Sequence, residues 1–193
     1  VVKVTYTIEP RPGLVLCVRT AGFGGEMIRF GAALIGASDL ENHILVLDHK
    51  TGDTWWGVEG RPGGVGWVDA TAYLESPWTL SNQGQEVTLS KANSICRKMR
   101  GLLGTPYDWR AIGEDALRDL HLSTMWAEKW HGVAPAHVVC SSVAAYAYSV
   151  AELAYPKQTD LPHIQPADWA DFIILNGFQS SPPLVKAPVT PPS

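Results

Sequence analysis

The chain has 193 residues, 46% of them hydrophobic and 18% charged, and carries a net charge of −4. That size and apolar content suit one domain with a substantial core, and the slight acidity gives no electrostatic reason to bind nucleic acid or an anionic membrane surface. Three cysteines, at positions 17, 96 and 140, are odd in number, far apart and without a C-x-x-C pair, so neither a disulfide framework nor a cysteine-rich zinc site is expected.

The opening Val-Val-Lys-Val-Thr-Tyr is strand-like and lacks the charged start, apolar run and small-residue cleavage site of a signal peptide. No stretch is long and apolar enough to span a bilayer, so a soluble chain is expected. Strands are predicted over 14–18, 43–48, 54–59 and 65–68, separated by glycine-containing turns. Between the first two, residues 26–35, with Ile28, Phe30, Ala33 and Leu34, read as a short helix or an irregular crossing. Cys17 falls inside the first strand and is expected in the core.

The runs 43–48 and 54–59 flank His49-Lys50-Thr51-Gly52-Asp53, which reads as a hairpin. If it closes around residues 50–52, pairing sets His43 opposite or nearly opposite Glu59, with Cβ atoms about 5 Å apart. The carboxylate can then fix the tautomer of the imidazole. A slip of one residue would turn Glu59 to the other face. The plainer alternative is that His43 satisfies a turn and Glu59 ends a solvated strand. His49 in the turn, and His121 and His163 in polar or proline-bounded stretches, are expected to be exposed.

Beyond residue 76 helices dominate. Ser90 can cap a helix over 91–103 whose apolar stripe is Ala92, Ile95, Cys96, Met99 and Leu103, with Gly104 and Pro106 as its stop. Trp109, Ile112, Ala116 and Leu120 mark another. A helix over 140–155 begins at His137-Val138-Val139-Cys140-Ser141-Ser142 and is broken by Pro156 and Pro162. Pro166-Ala167-Asp168-Trp169 reads as a turn into a short helical piece, 172–175 as a last strand, and 180–193 as a proline-rich disordered tail or linker after a single α+β domain over 1–179.

Cys140 admits two readings. In the first turn of a helix it faces the positive end of the macrodipole and free N–H groups, which favour thiolate and suit a nucleophile. It also lies on the stripe Val143, Ala147, Val150 and Ala154, which suits core packing. A third arrangement, His131-x5-His137-x2-Cys140, matches no zinc pattern, and Pro135 spoils helical ligand geometry, so no metal and no cofactor are expected.

The order histidine strand first, cysteine helix last resembles the circularly permuted branch of the NlpC/P60 papain-like superfamily. Ser38-Asp39-Leu40-Glu41-Asn42-His43 is similar to that branch's serine-x-histidine strand start. Val58-Glu59-Gly60-Arg61-Pro62-Gly63-Gly64-Val65 is similar to its acidic segment, although Gly60 stands where a small residue such as alanine is more familiar. Gly104-Thr105-Pro106-Tyr107-Asp108-Trp109 resembles its glycine-x-x-tyrosine segment, and Val139-Cys140-Ser141-Ser142-Val143 its nucleophile turn. Pro166-Ala167-Asp168 resembles the short segment that follows the nucleophile helix.

The resemblance covers roughly residues 13–175. It implies an antiparallel, barrel-like sheet packed against helices with the nucleophile helix C-terminal, and a Cys140-His43-Glu59 triad that hydrolyses amide or peptide bonds. Tyr107, Ser141 and Trp126 are candidate site-lining residues, and residues 121–136, with Trp126 and Trp130, look like an insertion. Cell-wall peptidoglycan peptide is the implied substrate, in a phage or bacterial, exported or virion-associated setting. Related permuted members act on lipid amides or esters, and an idle binding module on the same fold is the rival from outside enzymology.

Overall fold

The computed structural model describes residues 10–18, 43–74, 80–81, 87–108, 138–156, 164 and 168–169. The expected elements at 26–35, 109–120 and 172–175, the 121–136 segment with Trp126 and Trp130, and the tail from 180 lie outside the described residues.

Among the described residues five strands form one antiparallel sheet: β1 (Val15–Val18), β2 (His43–Thr51), β3 (Thr54–Arg61), β4 (Gly64–Asp69) and β5 (Leu80–Ser81), in the order β4-β3-β2-β1-β5. Among the described residues three helices accompany it: the single turn α1 (Thr71–Leu74), α2 (Leu89–Gly101) and α3 (Cys140–Val150). The class is α+β. The sheet does not close into the expected barrel: among the described residues β4 and β5 are opposite edges, and β5 is a two-residue strand paired only with β1.

The central strand β2 explains its own composition. Ile44 and Val46 pack with Val15, Cys17 and Val58 against Ile95 and Met99 of α2 and Val143 and Ala147 of α3. Leu45 and Leu47 face the other way, with Leu14, Leu16, Val18 and Ala70 and the partly buried Trp55 and Tyr73. A strand covered on both faces reads as a continuous apolar run, here Ile-Leu-Val-Leu, because alternate side chains enter two different cores.

Several boundaries differ from expectation. Thr88, not Ser90, caps α2: its Oγ1 accepts the Lys91 amide at 3.3 Å, so the helix starts at Leu89. The helix ends at Gly101, which turns Leu102 into the core and leaves Leu103, assigned to the stripe, partly outside. α3 stops at Val150 rather than at 155, since Glu152 adopts φ 54° and the Leu153 amide bonds back to Tyr148. Val150 and Ala154 are therefore exposed, while Ala144, Ala145 and Tyr148 join Val143 and Ala147 inside. His49 is a strand residue paired with Trp56, not part of the turn. Cys17 and Cys96 are buried in the core as expected.

Candidate active site

Cys140 is the first residue of α3. Its helix has an extended N-cap residue, Val139, with no polar side chain; Ser142 Oγ instead accepts the Val139 amide at 3.1 Å and donates to the Val139 carbonyl at 3.0 Å. The start of the helix lies close over β3. A Cβ placed on Gly60 would come within 3.2 Å of both the amide nitrogen and the Cα of Cys140.

His43 is the first residue of β2, and its Nε2 donates to Glu59 Oε2 at 2.7 Å. The two are not directly opposite. Glu59 pairs with Leu45, so His43 stands two residues further along the same face, a diagonal that a histidine and a glutamate can bridge. The turn residues are Gly52 and Asp53, not 50–52, and a bulge between Leu47 and His49 shifts the register by one before the site is reached.

With Nε2 committed to Glu59, Nδ1 is the ring nitrogen left for sulfur, and a side-chain hydrogen bond joins His43 to Cys140. Burial works against a charged ring, but the hydrogen bonds to Cys140 and Glu59 and the charges of both outweigh it and push His43 up to about 10. Burial also works against a thiolate. The hydrogen bond and charge of His43, with the N–H groups of Ile44 and Ser141 pointing at the sulfur, nevertheless hold the Cys140 thiol below its usual range. Each group thus favours the charged form of the other: the sulfur favours a protonated ring and the ring favours a thiolate.

Glu59 is buried, and its second oxygen lies 3.5 Å from the half-exposed guanidinium of Arg61. The ring of Tyr73 in α1 stands 6.4 Å from that of His43. Neither Arg61 nor Tyr73 was singled out by the sequence, since nothing local distinguishes them from ordinary strand-end and turn residues.

Tyr107 reaches Cys140 through a stitched loop. The Val65 amide donates to the Thr105 carbonyl and the Gly104 amide to the Val65 carbonyl, both at 2.9 Å, while the Asp108 amide donates to Val138 at 2.9 Å. Gly64, at φ 112°, lets the loop approach: a Cβ there would sit 2.8 Å from the Thr105 oxygen. Tyr107 hydrogen-bonds both the side chain and the backbone of Cys140. Burial and the neighbouring sulfur raise its pKa, so the phenol keeps its proton as a donor.

Ser141 lines the site only through its backbone. Its hydroxyl donates to the Ile164 carbonyl, away from the sulfur, and its carbonyl accepts from Trp169 Nε1 at 3.2 Å. Trp126 and both histidines of the alternative His131-His137-Cys140 arrangement lie outside the described residues. No described helix is long and apolar enough to cross a membrane. No protein-family model matches the chain, and no curated protein matches it.

Proposed function

We propose that the protein is a cysteine hydrolase of amide or peptide bonds built on a permuted NlpC/P60-like, papain-like fold, with Cys140 as nucleophile, His43 as base and Glu59 as orienting acid. The observation that carries the reading is the 2.7 Å bond from His43 Nε2 to Glu59 with the thiol of Cys140 on the same ring. Three residues separated by 16 and 81 positions meet in the order that nucleophilic acyl transfer requires.

The chemistry follows from the atoms present. The thiolate adds to the carbonyl carbon of the scissile amide, and the oxygen takes the negative charge within reach of the Cys140 amide and the Tyr107 hydroxyl. His43 passes its proton to the departing amine, the C–N bond breaks, and a thioester remains on Cys140. Water attacks that thioester, His43 takes a proton from the water, and the thiolate is released with the carboxylate product. Glu59 holds the ring in place and stabilises its charged form throughout.

Bacterial peptidoglycan peptide is the proposed substrate, on the strength of the motif resemblance. Purified peptidoglycan and long-chain acyl esters, each incubated with the protein, test it. New amino and carboxyl ends from peptidoglycan, absent with Cys140→Ala, are expected. Product from the esters alone would move the reading to lipid acyl groups. No product from either, together with slow alkylation of Cys140 that does not depend on His43, would leave an idle module.

A further inference from the structure

The hairpin that carries both His43 and Glu59 contains one residue too many on one side. Next to the turn, Thr51 pairs with Thr54, Lys50 with Trp55 and His49 with Trp56; past the bulge, Leu47 pairs with Gly57, Val46 with Val58 and Leu45 with Glu59. Asp48 has no counterpart on β3. Were the turn-end register continued with Asp48 paired to Gly57 in place of the bulge, Glu59 would fall opposite Val46, whose side chain belongs to the core under α2 and α3. The carboxylate would then point into apolar packing and away from the His43 face.

Asp48 is held from outside the sheet. Its side chain is buried, Oδ1 accepts from Arg100 Nε at 2.9 Å, and Oδ2 accepts from Arg100 Nη2 at 2.6 Å and bonds His49 Nδ1 at 2.7 Å. Arg100 lies in the last turn of α2, and the thiol of Cys96, one turn earlier, sits against the Leu47 and Asp48 carbonyls at 3.7 and 3.8 Å. A two-pronged guanidinium–carboxylate contact fixes orientation as well as charge, and a buried carboxylate deprived of it loses its reason to stay in place.

We infer that the Asp48 bulge, clamped by Arg100, sets the register that keeps Glu59 on the face of His43, which makes Asp48 and Arg100 positioning residues for that pair. The catalytic consequence rests on the hydrolase reading above; the register does not.

Two readouts on the full chain test it: cross-strand NOEs of Glu59 by NMR, and the pH profile of Cys140 alkylation by iodoacetamide. In the wild type Glu59 contacts Leu45. In Arg100→Leu a Glu59–Val46 contact is expected to replace it, with alkylation at neutral pH slowed severalfold and its profile moved toward that of an ordinary thiol, because His43 loses the carboxylate that favours its charged form. Arg100→Lys should recover part of both. Removing Asp48 from the Arg100→Leu protein should restore both, because a strand without the extra residue reaches the Leu45–Glu59 pairing by plain alternation. If Arg100→Leu fails to fold, Asp48→Asn takes its place. A variant that only loses thermal stability, with the Leu45–Glu59 contact and the alkylation profile unchanged, overturns the inference. A slipped register in a protein that hydrolyses nothing would uphold it and sink the hydrolase reading instead.

Discussion

Gly60 of β3 touches the backbone of Cys140: a side chain of even one carbon would sit 3.2 Å from the amide nitrogen and the Cα of the residue that opens α3. That contact sets how far the sulfur stands from the sheet that holds His43 and Glu59. In Gly60→Ala the helix start must retreat by a few tenths of an ångström. Activity is expected to fall by about tenfold, because misplacement of 1 Å can cost about 100-fold. Stability should fall by only about 1 kcal/mol, at the low end of overpacking costs. Parallel kcat and urea-unfolding measurements separate the two.

Replacing His43 by alanine removes the hydrogen bond and charge that lower the Cys140 thiol. An ordinary thiol is only a few per cent ionised at neutral pH, but a lower-pKa thiolate is also a weaker nucleophile. The net expectation is alkylation slowed by about tenfold at pH 7, read by mass spectrometry on intact protein. Cys96, pushed up to about 12 by burial and the Asp48 charge, should remain unlabelled under the same conditions.

Glu59→Gln keeps the shape of the side chain and removes its charge. The amide can turn its NH₂ toward Nε2 and select the wrong tautomer, leaving Nδ1 protonated opposite a neutral thiol. Loss of about 100- to 10,000-fold in kcat is expected, with KM little changed, following the effect of the analogous change in serine proteases. Steady-state kinetics on a peptide substrate checks it.

Tyr107→Phe removes one hydroxyl beside the sulfur. If that hydroxyl helps to bind the oxyanion, kcat should fall by about 100-fold, equivalent to about 2.7 kcal/mol, with alkylation of Cys140 much less affected. An equal loss in both assays would assign the hydroxyl to the thiolate instead.

The pair also has a pH window. His43 is raised from 6.5 to about 10, so the stability it contributes is present below 6.5 and is lost as pH rises through about 10. Cys140 is lowered, so its contribution is present above the ordinary thiol range and is lost as pH falls through its folded value. The charged pair is therefore favoured between the lowered value of Cys140 and about pH 10. Activity should form a broad plateau there, falling on the acid side as sulfur takes a proton and near pH 10 as the ring loses the one it must donate. A kcat/KM profile from pH 4 to 11 measures both limbs.

Residue type and local pattern were enough to place a cysteine at a helix start, a histidine and a glutamate on the two arms of one hairpin, and an apolar central strand, because capping, helical period and strand alternation are properties of neighbouring residues. They were not enough for register. Glu59 lies diagonal to His43 on one face, rather than turned to the other face, because Asp48 is bulged out, and Asp48 is bulged where Arg100, 52 residues later, grips it. The same holds for the open sheet, the turn of the Ser141 hydroxyl toward Ile164, and the close approach that Gly60 permits. Each depends on which distant surfaces pack together, so only the tertiary structure decides which of several locally equivalent faces meets the sulfur.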